Sequence, residues 1–385
     1  MKFSVLLPTR NGGRFLRNCI NSILDDPYPD MELVVSDNAN TDETQEVLKS
    51  FSGDRRLKVV RLEEAGGVVD NWNNALKASS GEYFLMMGDD DCLLPGYFKR
   101  MEDLLKKYEG PDCVIYNAFT YVAPQAVNGN RVSYYNKSHF AFGPDFQGEG
   151  FLPEDMRASI VRDMYRFRVR IPLNMQTTLV SRRGAMAYIK GDVFHAPFPD
   201  HYALNALLLS APRWVYVPEN LLIVGISPKS FGHFVYSNCQ EQGLAYLGID
   251  SDFKGKLPGN ELLNYMHVWL GSLKEDHQIK LQSVHISRPD YVRRQVYYWY
   301  MQYRSKIISL HDLMTRIRLL NFGDWVGLCW ILFDRECWKR AFRMMTFSKK
   351  TGVQRTIHGL EALENVASID EFRNQISQIN NGEIK

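Results

Sequence analysis

Residues 83–96 read "YFLMMGDDDCLLPG". Five mostly apolar residues run straight into Asp89, Asp90 and Asp91, so a buried strand ends on three adjacent carboxylates. Neighbouring carboxylates repel and raise one another's pKa unless a cation or a partner relieves them. Such a cluster is either an acidic turn that caps the next helix or a site for a hard cation such as Mg²⁺ or Mn²⁺. The flanking sequence decides between them.

Upstream, short β-rich runs alternate with helical patterns: "FSVLLP", a helix over 14–24, "ELVVS", a helix over 41–51, "LKVVRL", and a helix over about 69–78 that leads into "YFLMM". Strands separated by helical crossovers predict a doubly wound α/β sheet. Ligands of such sheets bind beyond the carboxyl ends of the strands. Here those ends are "PTRNGG", "SDNANTDET", "EEAGGVVDN" and "GDDDCLLPG", four polar or glycine-rich loops on one rim. A second α/β portion follows, with "TTLVS" and "RWVYVPENLLIV" as strands around the helical "DHYALNALLLS". The stretch 124–153, rich in Gly, Asn, Ser and Tyr, reads as an insertion or lid. From residue 237 onward β patterns disappear and helical ones dominate, which predicts an α/β domain over 1–236 and a helical domain over 237–385. Within the latter, only "SQINNGEIK" reads as weakly structured.

The 385 residues are 45% hydrophobic and 23% charged, with a net charge of +2. That is an ordinary globular composition and gives no case for wholesale nucleic-acid binding. Six cysteines lie without CxxC spacing and the chain opens on the strand-like "MKFSVLLP" rather than a signal peptide, which favours a reducing, cytoplasmic setting. The longest apolar run, "VGLCWILF", is too short for a membrane span.

Taken in order, "SVLLPTRN", "LVVSDNANTDET", "NNALKASSGEYFLMMGDDDCLLPG" and "FPDHYALNALLL" resemble the successive signatures of family-2 glycosyltransferases, which have the GT-A fold. The resemblance covers residues 1–226. It implies a GT-A-like doubly wound mixed sheet flanked by helices, followed by a mainly helical C-terminal domain. It also implies inverting transfer of a sugar from a nucleotide-diphosphate donor, expected to be a UDP-sugar, to a hydroxyl of a glycan or lipid-linked oligosaccharide, assisted by Mn²⁺ or Mg²⁺. Carried over by position, Pro8, Thr9 and Asn11 border the nucleobase and Asp37 hydrogen-bonds it. Asn73, eight residues before Gly81, matches a polar residue ahead of the "GEY" strand and is expected among the nucleotide-binding residues of the rim; Asp89 falls nearer the ribose, and Asp90 on the metal. Counting back from Pro95, the first acidic position of the commoner Asp-x-Asp-Asp form is Gly88 here, so Asp91 stays a second metal candidate or a helix-side cap.

Inverting displacement needs a base for the acceptor hydroxyl's proton. Asp200, in "PFPDHYAL", falls where the family's catalytic carboxylate falls; His201 is the adjacent alternative, and an N-cap is the structural reading. Weaker candidates are Trp72 for ring stacking, His233 for the metal or diphosphate, and Lys229 and Arg182 for phosphate charge. Packing or solvated surface is the ordinary role of each type.

The C-terminal "YVRRQVYYWYMQYRSKIISL" and "MTRIRLLNFGDWVGLCWILFDRECWKRAFRMM" are rich in aromatics and arginine. They suit helices packed on one another, a peripheral contact at the inner face of a membrane, or a homo-oligomer. Three rivals remain for the whole. A sugar nucleotidyltransferase lacks its longer Gly-rich, arginine-bearing loop here, and a nicotinamide enzyme lacks G-x-G-x-x-G after the first strand. A non-catalytic nucleotide-sugar or carbohydrate-binding protein on the same scaffold would be expected to lose the acidic cluster or Asp200, and both are present.

Overall fold

The computed structural model describes residues 3–127, 130–138, 140, 142, 146, 148–170, 174–236, 252–329, 338 and 360–380. The apolar runs of the N-terminal part form β1 (Phe3–Thr9), β2 (Met31–Asp37), β3 (Leu57–Arg61) and β4 (Tyr83–Met86), joined through α1 (Gly13–Leu24), α2 (Thr44–Ser50) and α3 (Val68–Ala78). β1 pairs in parallel with β2 and β4, and β2 with β3, so four strand ends emerge on one rim. α1 illustrates the logic. Leu16, Cys19, Ile20 and Ile23 recur at helical spacing and bury against Val5, Leu7 and Val35 of the sheet, while Arg14 and Arg17 stay exposed.

Beyond β4 the chain forms β5 (Cys92–Leu93), α4 (Tyr97–Lys107), β6 (Cys113–Val122), β7 (Ser133–Ser138), β8 (Gly150–Phe151), α5 (Glu154–Met164), β9 (Thr178–Ser181), α6 (Arg182–Tyr188), α7 (Pro199–Ser210), β10 (Trp214–Ile226) and α8 (Phe231–Tyr236). β9 lies antiparallel between β4 and β6, and β10 runs parallel to β6. The sheet is therefore mixed, as expected, and flanked by helices. The stretch 124–153 is partly built into it: β7 pairs with β6, and β8 with β10.

In the C-terminal part, α9 (Glu261–Asp276), α10 (Arg288–Arg304), α11 (Leu310–Ile317) and α12 (Phe322–Cys329) follow. Trp269 and Leu273 of α9 and Tyr291, Val292 and Trp299 of α10 share one buried cluster with Tyr202 and Leu204 of α7. Among the described residues, Tyr291, Tyr298 and Trp299 of the aromatic-rich sequence are thus core. Tyr297, Met314, Phe322 and Trp325 remain exposed. Among the described residues, no helix is long and apolar enough to cross a membrane. The expected boundary at 236/237 abuts residues outside those described.

The end of the chain departs from the sequence pattern. β11 (Glu361–Leu363) pairs antiparallel with β7, so a strand does occur after residue 237. Three residues are too few to show alternation. The following α13 (Ile369–Asn380) includes the first four residues of the tail expected to be weakly structured; 381–385 lie outside the described residues. Ile369, Phe372 and Ile376 recur at helical spacing and are buried, each contributing about 1.5–3 kcal/mol on the apolar-transfer scale. The Phe372 ring sits 5.9, 5.6 and 5.1 Å from those of Phe119, Tyr121 and Tyr135. Next to it, the buried Arg373 donates to the Leu93 carbonyl at 2.9 Å. The last described helix therefore braces the strand that leaves the aspartate loop.

Candidate functional site

Just past β4, Met87 N–H still donates to Leu6 O of β1 (2.8 Å), and the chain then turns at Gly88. The three aspartates separate at this turn. Asp91 is buried; one of its oxygens accepts the Gly88 N–H (2.6 Å) and the other the Gly225 N–H of β10 (2.9 Å). Asp91 thus braces the turn against β10. The helix-side cap expected of it is not formed, because α4 begins after Gly96 without a side-chain cap.

Asp89 and Asp90 remain half-buried on the rim. Asp89 Oδ2 accepts the Thr9 hydroxyl (2.7 Å), and Asp90 Oδ2 accepts the Ser227 N–H (3.2 Å). Burial first, and the charge of Asp90 second, push the Asp89 carboxyl up to about 7. Burial likewise raises Asp90 against the hydrogen bonds from Ser227. Asp91 is raised by burial and then by Asp90.

Two glycines allow this crowding. A Cβ on Gly12 would lie 2.5 Å from both Asp89 Oδ2 and Thr9 Oγ1. One on Gly225 would lie 1.9 Å from the Asp90 carbonyl oxygen, which is backbone and cannot yield cheaply. Gly225→Ala is expected to lower the urea midpoint by the equivalent of about 1–3 kcal/mol, the usual cost of overpacking, and an unchanged midpoint would contradict this close approach.

The neighbouring loops interlock. Asn11 takes a left-handed φ of 54°, a conformation asparagine tolerates. Its side chain accepts the Thr41 N–H (3.0 Å), and its own N–H donates to Asn40 Oδ1. Lys229, after β10, donates to the Asn11 carbonyl (2.7 Å), lies 3.6 Å from Asp42, and its charge opposes the rise of Asp89. Pro8 is half-buried at the end of β1, opposite Ser36. Asp42 accepts the Thr44 N–H (3.1 Å) just ahead of α2.

Asp37 is at the rim but wholly buried. Its oxygens accept the Asn40 N–H (2.8 Å), the Arg61 guanidinium (2.7 Å) and the Gln45 amide. The group above it that reaches solvent is Arg61, whose side chain is 47% exposed. Sequence reasoning missed Asn40. Its Nδ2 is buried without a hydrogen-bond partner among the described residues, and its only signal was a polar type in a rim loop.

Asn73 is a second correction. Its amide donates to Phe194 O (2.8 Å) and accepts Phe194 N–H (3.2 Å), so it is a buried clamp on the 190s loop rather than a rim contact. The clamp matters indirectly, since that loop leads into α7. Trp72 packs edge-on against the same Phe194 ring at 5.2 Å, the packing role. Phe198, the residue before α7, packs on Val68 at the start of α3, which brings the start of α7 toward the rim.

Asp200 occupies the first turn of α7 without capping it. One oxygen accepts the adjacent His201 N–H (2.9 Å). Burial raises its pKa, and the charge of His201 opposes the rise. A negative group at a helix start is also favoured by the dipole. His201 itself lies against the rings of Phe198 and Trp269. Arg182 donates to Gly81 O (2.7 Å) and Ser79 Oγ, and His233 pairs with Ala126 O, so both serve the scaffold.

The donor set fits a divalent cation. Asp89 and Asp90 offer hard oxygens, and their raised pKa values reflect burial together that a cation would relieve. Among the described residues, no cluster of three or more carboxylate, imidazole or thiolate groups is arranged to hold a metal by itself. Two carboxylates suffice where substrate phosphates complete the shell, the usual arrangement for Mg²⁺.

Comparisons with known proteins follow this geometry. Residues 4–158 match the family described as Glycosyl transferase family 2. The poly(ribitol-phosphate) beta-N-acetylglucosaminyltransferase TarS of Staphylococcus aureus (strain Mu50 / ATCC 700699) is 36% identical over 96 residues, 24% of this chain and 17% of that protein. Glycosyltransferase GlyG of Streptococcus pneumoniae serotype 4 is 28% identical over 119 residues, 31% of this chain and 39% of that protein. The chain thus spans well under half the length of these curated relatives. A crystal structure of S. aureus TarS 1-349 in complex with UDP-GlcNAc aligns over 78% of this chain and 81% of that one, at 18% identity and a TM-score of 0.47. The match over residues 4–158 includes the rim loops of β1 to β4, so this part of the chain is similar to family-2 glycosyltransferases.

Proposed function

We propose that the protein is an inverting glycosyltransferase that moves a sugar from a UDP-sugar to a hydroxyl of a glycan or lipid-linked glycan. One observation carries the reading: two rim carboxylates, Asp89 and Asp90, converge with Thr9 and Lys229, while a further carboxylate, Asp200, stands apart at the start of α7. The name of the S. aureus relative, a beta-N-acetylglucosaminyltransferase acting on a poly(ribitol-phosphate), supports a polymer acceptor.

In this reading Asp89 and Asp90 hold Mg²⁺ or Mn²⁺, which when bound offsets charge on the leaving diphosphate. Lys229 adds a fixed positive charge beside them. The buried, unpartnered Asn40 amide offers a donor to a nucleobase carbonyl, beside Pro8, Thr9 and Asn11. Asp37 acts beneath this corner by fixing Arg61 and the Asn40 turn. Asp200 takes the acceptor hydroxyl's proton as its oxygen attacks the anomeric carbon. The bond to the diphosphate breaks on the opposite face and its electron pair leaves with the phosphate.

A thermal-shift panel of nucleotide sugars tests this, because a ligand that binds only the folded state raises Tm. UDP-sugars with Mn²⁺ are expected to raise Tm, and nucleotide or Mn²⁺ alone to raise it less. A panel without any nucleotide-dependent shift would remove the reading.

A further inference from the structure

A recess of about 480 Å³ opens beside Asp90, and neither Thr9, Asp37 nor Asp200 lines it. Its walls come from α1, the ends of β6 and β10, and the residues leading into α13. Of its lining, the donor reading uses only Asp90 and the Ser227 amide that donates to it. Polar Asn18, Gln125 and Ser227 are interspersed in its lining with Phe15, Tyr121 and Ile226, and its two charged side chains, Arg14 and Asp90, are of opposite sign. Mixed walls of this kind suit a ligand with hydroxyls at its edges and C–H groups on its faces, and the volume is that of an ordinary small-molecule site.

We propose that the recess is a subsite for a neutral saccharide unit of the acceptor, an inference that rests on the glycosyltransferase reading. Asp90 in its wall makes it continuous with the diphosphate corner. Asp200 is absent from the lining, so the unit held there is not the one whose hydroxyl reacts but another along the same acceptor chain. The outer wall is firm. Phe372 is wedged among three rings, Arg373 is tied to Leu93, and Tyr135 donates to Glu361 at 2.7 Å. A wall already ordered lowers the cost of ordering on binding. The segment 360–380 thereby gains a part in acceptor choice, although it lies far along the chain from the domain it completes.

The test is saturation-transfer NMR on the full chain with UDP and Mg²⁺ present, using chitobiose and maltotriose as probes. Wild type is expected to transfer saturation to ring protons of at least one probe. Ala367→Trp, at an exposed position on the α13 side, and Asn18→Trp, on the α1 side, are each expected to abolish that transfer while the UDP-induced Tm shift persists. No transfer in wild type, or transfer that survives both substitutions, overturns the subsite. The UDP shift keeps the two readings apart. Its absence in wild type removes the glycosyltransferase reading itself, whereas its presence with a saccharide signal indifferent to the recess removes only this inference.

Discussion

Asp200→Asn is expected to lower kcat for sugar transfer by about 10²–10⁴-fold, the usual contribution of a positioned general base. Nucleotide affinity should stay near wild type, because Asp200 accepts the adjacent His201 N–H rather than a group of the donor corner. Asparagine keeps that acceptor, so the fold should be undisturbed. The pH profile supplies the sharper readout. Burial penalises the ionised carboxylate and raises its pKa, so the base is lost as pH falls through a value above the ordinary aspartate range. Transfer by wild type should decline from the acid side at that higher pH. The residual rate of the variant should lack this limb, and a variant with wild-type kcat would assign the base elsewhere.

Asp90→Ala is expected to uncouple nucleotide binding from the cation. At a nucleotide concentration of 100 Kd, binding stabilises a protein by about 2.7 kcal/mol. If the lost carboxylate weakens cation-dependent binding about 100-fold, the same concentration yields only ~0.4 kcal/mol, so most of the Tm shift disappears. Asp91→Asn should behave differently. It removes half of a brace between Gly88 and Gly225, and is expected to cost stability in the absence of any ligand. A Mn²⁺ titration unchanged in Asp90→Ala would remove Asp90 from the ligand set and leave Asp89 alone in it.

The part of this architecture that was legible in the sequence is the part written in local periodicity. "FSVLLP", "ELVVS" and "YFLMM" are apolar runs bounded by polar loops, and each became a strand of the sheet. Rim position followed from the same pattern, so Thr9, Asn11, Asp37, Asp89 and Asp90 came out at strand ends. The direction of a side chain was not legible. Asn73 looked like a rim residue because of its spacing from Gly81, yet its partner is Phe194, 121 residues away. Asp91 differs from Asp90 only by one step of backbone, and that step turns it inward to Gly225. Neither partner can be inferred from local pattern. β11 was hidden for another reason, since a three-residue edge strand is specified by the strand it joins and not by its own composition.

The hydrogen bond from Arg373 to Leu93 closes a loop of 280 residues. Ribosomes add about 5–20 residues per second, so a nascent chain carries Asp89 and Asp90 for roughly 15–55 s before the arginine that steadies the following strand has been made. During that interval the strand that leaves the aspartate loop lacks its last brace, although Gly225 and Ser227 already hold the loop once β10 has been made. The support of that strand is thus completed late in translation, by residues that belong to no recognisable motif.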